Sequence, residues 1–218
     1  AHMHSRVIDI ERKKMSKSRG NVIDPIEMVD KYGADALRMS LVFGNAPASD
    51  VVVTEEKIKA MRNFSNKIWN MARFIEMKKE DVILKSERLK DPKRKQDGIL
   101  RFAQNDISIK DLLKMTNNEN DKEMIKKTQK LAGEVTKDIE ELKFNFASER
   151  LYEFIWHEFA DKYIEDVKNR LNADSFHVLS FLFLVQLKLL HPFMPFVTEE
   201  IYQRLGSGKS LIAEAWPK

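Results

Sequence analysis

The chain has 218 residues, 43% of them apolar and 33% charged, which is enough apolar material for a packed core and too much for a wholly disordered polymer. Lys and Arg outnumber Asp and Glu by 38 to 34, a formal net charge of +4 that permits a polyanionic partner without requiring one. Cysteine is absent, which excludes a disulfide framework, a thiolate nucleophile and a cysteine-ligated zinc site and points to an intracellular protein. The five histidines, at 2, 4, 157, 177 and 191, have no metal-ligand spacing. Seven glycines and six prolines leave room for long uninterrupted helices, so the expected fold class is mainly α.

The first three residues, "AHM", read as a cloning scar, and residues 4–53 form a first unit of short elements. "RVIDI" (6–10) alternates and predicts a strand. It leads into "KKMSKSRGN" (13–21), which holds four positive charges and one large apolar residue, Met15. Downstream, Asp24 is placed to cap a helix, with Pro25 at its first position, Glu27 completing a capping box and Gly33 terminating it. A second short helix, 34–44, should end at Gly44.

From Thr54 the texture changes, and residues 54–218 predict an α-helical bundle. Thr54 caps a helix with glutamates in its first turn and lysines at its end, both favourable to the helix dipole. Ile58, Met61, Phe64, Ile68, Met71 and Ile75 make its apolar stripe. A second stripe is Ile125, Thr128, Leu131 or Ala132, Val135, Ile139 and Leu142. A third runs Leu151, Phe154 or Ile155, Phe159, Tyr163, Val167 and Leu171. Residues 174–190 are apolar on most faces and should form the centre of the bundle. The run "VLSFLFLVQLKLL" is short for a bilayer span and holds Gln186 and Lys188, so no membrane segment is expected. Pro192 and Pro195 should end this helix, and Thr198 should cap a final one over 198–206. Residues 78–122 break the periodicity and predict a basic insertion, with one short helix around Ile109–Met115.

The chemistry concentrates in residues 14–18. Two lysines three apart, serine hydroxyls and a nearby glycine suit a polyphosphate, because ammoniums neutralise phosphate while hydroxyls and amides donate to it. The upstream glycines of a Walker loop are missing. On composition alone, a solvated lysine-rich surface loop is the better explanation of the stretch.

The exact string adds more. "KMSKS" followed by "RGNVIDPIEMVDKYGADALR" resembles the second nucleotide-binding motif of class I aminoacyl-tRNA synthetases and the stem-contact segment after it. "RNFSNKIWNMARF" (62–74) resembles the first helix of the anticodon-binding bundle in the valyl, isoleucyl and leucyl group, the valyl enzymes most. "LYEFIWHEFADKYIEDVK", "LLHPFMPFVTEEIYQRL" and "AEAWPK" also look valyl. The resemblance implies that Lys14 and Lys17 stabilise the triphosphate of ATP, taken up with Mg2+, during amino-acid activation. Met15 would seat the loop, with Ser16 and Ser18 assisting. No histidine sits in the His-x-Gly-His motif that such enzymes pair with this loop, and no βαβ series precedes it. The resemblance therefore implies the C-terminal part of a larger cytoplasmic, monomeric ligase. The catalytic and editing domains would lie elsewhere, valine tRNA would be the partner, and the fragment would be inactive alone with no cofactor bound. An isoleucyl or leucyl enzyme, or a freestanding helical RNA-binding module, are the alternatives.

Arg62, Asn63, Asn66, Lys67, Asn70 and Arg73 recur at three and four residues and share one polar face. That face either contacts tRNA phosphates or packs on residues 24–44 through hydrogen bonds. Trp69 and Trp156 are read as core residues or as platforms for unpaired bases. His157 and His191 are read as structural, and the basic run at 88–95 as a solvated loop or an RNA contact.

Overall fold

The computed structural model describes residues 6–9, 11, 13, 15–16, 22–45, 49–88, 112–114, 116–205 and 210–217. The order of elements is β1 (Val7–Ile8), α1 (Pro25–Tyr32), α2 (Ala34–Val42), β2 (Val51–Val52), α3 (Glu55–Arg88), α4 (Glu119–Glu140) and α5 (Phe144–Glu153). A π-helical segment (Phe154–Ile164), α6 (Glu165–Asn169), α7 (Ala173–Leu190), α8 (Pro195–Arg204) and a 3-10 turn (Leu211–Ala213) follow. The mainly α expectation holds.

The first unit is a hairpin of short helices beside a two-stranded parallel sheet, in which Val7 pairs with Val51 and Ile8 with Val52. Residues 51–52 were not expected to be a strand, since a run of three valines between polar residues carries no period. Asp24 caps α1 by accepting from the Ile26 amide at 2.8 Å, and Gly33 turns the chain into α2 at φ 90°, a conformation that favours glycine.

The bundle is organised around α7, whose Phe176, Val178, Leu179, Leu182, Phe183, Leu184, Leu187, Leu189 and Leu190 are all buried. Helices α3, α4, α5, α6 and α8 pack on it. Asn172 and Ser175 close a reciprocal capping box at its start, with both bonds at 2.9 Å. By length and composition α7 could cross a membrane, with a mean hydropathy of 1.4, but 67% of it is buried inside the fold.

Four expectations need correction. Helix α3 continues to Arg88, ten residues into the stretch expected to be irregular, because Val82 extends its buried stripe two turns past Ile75. Of that stretch, 112–114 is helical and Leu112 is buried; residues 89–111, including the basic run from 89, lie outside the described residues. Helix α8 starts at Pro195 and not at Thr198, since proline suits the first helical position. Thr198 is instead buried one turn in, donating to the Met194 carbonyl at 2.8 Å. Leu142 is no part of the α4 stripe: it is 51% exposed at φ 58°, beyond the helix end.

The third stripe produced an unexpected backbone. Leu151, Ile155, Phe159, Tyr163 and Val167 are buried at strict steps of four. In an α-helix each such step overshoots the turn by about 40°. The wider π turn between α5 and α6 offsets that drift and keeps the stripe on one side.

At the far end of the bundle, the buried Asp121 accepts from Thr116 Oγ1 at 2.7 Å, Tyr163 OH at 2.9 Å and Arg170 Nη2 at 2.5 Å. Removing the carboxylate strands the Thr116 and Tyr163 hydroxyls inside the fold and leaves Arg170 with Asp166 alone, at 2.7 Å. Asp121→Ala should therefore destabilise the fold by about 3–5 kcal/mol, read as a lower urea midpoint at an unchanged slope.

Candidate nucleic-acid interface and basic loop

The basic run is launched by a tight turn. The Lys13 amide donates to Asp9 Oδ1 at 2.8 Å, and the Asp9 amide donates to the Lys13 carbonyl at 3.0 Å. The Lys13 ammonium is paired with Glu11 at 2.6 Å. Met15 is half-buried against the core and Ser16 is half-buried beside it; Lys14, Lys17 and Ser18 lie outside the described residues. Arg6 holds the entering strand to the end of the hairpin by a bidentate pair with Asp50, at 3.1 and 3.0 Å.

The polar face of α3 points to solvent. Its apolar stripe turns inward, and Arg62, Asn63, Asn66, Asn70 and Arg73 are all exposed. None of the five hydrogen-bonds or ion-pairs with another described side chain, and the face does not pack on residues 24–44. A helix surface with three exposed asparagines and two arginines offers donors and acceptors that its own fold leaves unused.

Two residues of the same set are placed differently. The Lys67 ammonium is bound to Asp161 at 2.7 Å and sits 5.7 Å from the centre of the Trp156 ring, so its charge is already answered within the fold. Trp69 is half-buried, with the Arg204 guanidinium 4.6 Å from its ring centre. Arg204, itself held by Glu200 at 2.7 Å, escaped the sequence reading because its partner lies on a helix more than a hundred residues away. Trp69, Arg73, Glu76 and Arg204 line one shallow crevice between α3 and α8. Trp156 is half-buried in an aromatic group with Phe64, at 6.1 Å, and Tyr152, at 5.5 Å.

Between the hairpin and the bundle lie two half-buried ionisable groups. Burial pushes the Lys57 ammonium below its ordinary value, and it bonds to the Val52 carbonyl at 3.2 Å. Burial likewise holds the His191 imidazole below its usual range, against the smaller opposing pull of Glu199 and Asp35; its Nδ1 pairs with Thr198 Oγ1 at 2.8 Å.

Against known proteins, residues 1–54 match the family described as tRNA synthetases class I (I, L, M and V). Residues 121–218 match the anticodon-binding domain of tRNA ligase. The chain is thus similar to class I tRNA synthetases over both matched segments. The valine–tRNA ligases of Clostridium acetobutylicum and Clostridium tetani are each 38% identical to it over 224 residues. That of Streptococcus thermophilus is 37% identical over 219 residues. These alignments take in 97–99% of this chain but only 23% of each relative. The LeuRS of Agrobacterium radiobacter K84, solved as a ternary complex with tRNA and LeuAMS, shares the fold. Its TM-score is 0.71 and its identity 24%, over 98% of this chain and 23% of that one.

The basic loop falls in the first matched segment and helices α4 to α8 in the second. Helix α3, with its exposed polar face, lies between the two family matches and is covered only by the whole-chain relatives.

The depressed His191 sets a pH dependence. The unfolded imidazole takes up a proton near its ordinary value of 6.5, and the folded one only at lower pH. Stability contributed by neutral His191 is therefore present above pH 6.5 and lost as pH falls below it. Urea titrations should show this decline at a slope of no more than about 1.4 kcal/mol per pH unit. His191→Gln should flatten that decline, whatever it does to the plateau.

Proposed function

We propose that this chain is the C-terminal-side portion of a cytoplasmic valyl-tRNA synthetase, which ligates valine to its tRNA at the expense of ATP. The reading rests on one observation: a KMSKS loop and an anticodon-binding bundle stand in a single chain that aligns over 99% of its length with valine–tRNA ligases at 38% identity. The nucleotide-binding and editing domains would belong to the remainder of the same polypeptide, so this portion alone would not activate valine.

Within that enzyme Lys14 and Lys17 would neutralise the triphosphate as pyrophosphate leaves, with Lys17 as the main contact. Ser16 and Ser18 would donate to phosphate oxygens, and the packing of Met15 on the core supports its role as the seat of the loop. ATP supplies the phosphoryl-activated intermediate and the pyrophosphate leaving group. Among the described residues no group of three or more His, Asp or Glu could hold a metal. Mg2+ would enter with the ATP phosphates, which hold it more readily than an all-protein cage does.

The exposed face of α3 would meet the tRNA backbone through Arg62 and Arg73, with Asn63, Asn66 and Asn70 donating beside them. Lys67 and Trp69 would support this face from their internal contacts.

Two measurements separate these roles. In the full-length enzyme, Lys17→Ala should slow ATP–pyrophosphate exchange by about 100-fold while tRNA affinity stays near wild type; exchange at the wild-type rate would remove Lys17 from the site. Arg62→Glu and Arg73→Glu should each weaken binding to valine tRNA and lower the slope of log K against log salt by about one. An unchanged slope would take the two arginines off the interface.

A further inference from the structure

Helix α8 begins badly by its own means. Its N-cap is Met194, which makes no side-chain bond to the helix, and its first turn holds no acidic residue. The missing cap comes from α2. Asp35 Oδ1 accepts from the Phe196 amide at 3.2 Å and Oδ2 from the Val197 amide at 2.6 Å, across 161 and 162 positions. Asp35 is 6% exposed. One turn further along α2, Arg38 donates to the Pro192 carbonyl at 3.2 Å. Helix α2 thus grips both the donors and an acceptor of the corner where α7 passes into α8.

The other end of α8 is held on α3, where the Arg204 guanidinium lies on Trp69. The helix has ten residues, so it spans about 15 Å between the hairpin that follows the basic loop and the α3 helix that carries the exposed polar face.

Helix stability alone does not account for the Asp35 arrangement. A Ser, Asn or Asp at 194 would cap α8 locally, without taking a carboxylate out of water. Burial does hold the Asp35 carboxyl above its ordinary value, although the two amides pull it down. What a remote carboxylate adds is direction. Apolar contacts between α2 and α3 are non-directional, whereas two amide bonds fix a distance and an angle.

We propose that α8 is a strut between the loop-bearing hairpin and the α3 face, and that Asp35 and Arg38 are positioning residues for the step in which amino acid passes to RNA. This rests on the function proposed above. Activation of the amino acid by ATP involves only the catalytic side of the strut, so it should not depend on it. Transfer requires RNA held on one side to reach the site on the other, so it should.

The test uses the full-length enzyme and three variants: Asp35→Asn, Asp35→Ala, and Asp35→Ala with Phe196→Glu. Phe196 is 64% exposed, and a glutamate there returns negative charge to the first turn of α8 without restoring the tie to α2. Asp35→Ala should lower Tm, and adding Phe196→Glu should recover most of the loss. Both Asp35→Ala proteins should charge tRNA with kcat about tenfold down, with KM for tRNA and ATP–pyrophosphate exchange within twofold of wild type. Asp35→Asn, which keeps an acceptor, should lie between. Recovery of charging together with Tm in the double variant, or a parallel fall of exchange and charging, would overturn the proposal.

A readout independent of activity comes from spin labels at Glu27→Cys and Glu76→Cys, both exposed in a chain without native cysteine. Their distance distribution should be narrow in the parent and broad in Asp35→Ala with Phe196→Glu; equal widths would sink the strut. Broadening in a protein that charges no tRNA even as wild type would retire the proposed function and leave the strut standing.

Discussion

Helix α7 is apolar on most faces, and the rest of the bundle is arranged to keep water from them. Each of its buried Leu, Val or Phe side chains contributes about 1.5–3 kcal/mol by leaving water, which no single neighbouring helix could secure. Helices α3, α4, the continuous α5 to α6 rod and α8 therefore close around it. The same demand shapes the chain termini of the bundle. Pro192 and Pro195 fold α8 back onto α7, and the last residues return along α4, where Trp216 Nε1 donates to Thr136 Oγ1 at 2.8 Å and Glu214 pairs with Lys188 at 3.2 Å.

Once the apolar stripes have been spent on α7, what remains outside is chemically selective. The outer face of α3 carries Arg62, Asn63, Asn66, Asn70 and Arg73 exposed to solvent. The hairpin of α1 and α2 joins the bundle through apolar packing and a few directional contacts. The Gly44 amide donates to Glu149 at 3.1 Å, the Phe43 and Tyr152 rings lie 5.0 Å apart, and Asp35 and Arg38 hold the start of α8. The segment that enters the basic loop and the polar face of α3 thus belong to one packed frame.

The helices were legible because burial leaves a period. The stripes of α3, α4 and the α5 to α6 rod were readable as buried sets, with Ile139 and Leu171 only partly buried and Leu142 exposed at a left-handed turn. Boundaries were less legible, since they depend on where tertiary contact ends. Val82 prolongs α3 because it finds the core, which local composition does not register. The spacing from Leu151 to Val167 was readable as a buried stripe, but the wider turn that keeps it on one side emerged only in the structure. The Thr198 assignment failed for a different reason: its hydroxyl had two possible uses, and proximity to His191 and Met194 selected the one inside the helix.

By itself the sequence determined the residue types of the loop at 14–18 and the sidedness of each long helix, because these follow from covalent spacing and side-chain polarity; that the polar face of α3 stays in solvent was decided by the tertiary structure. Only the tertiary structure decided how charges and rings are matched. Lys67 is taken up by Asp161, Trp69 lies under Arg204, and Asp35 caps a helix 161 residues away. Such pairs join residues whose separation along the chain carries no period and no propensity, so their geometry exists only once α7 has drawn the other helices together.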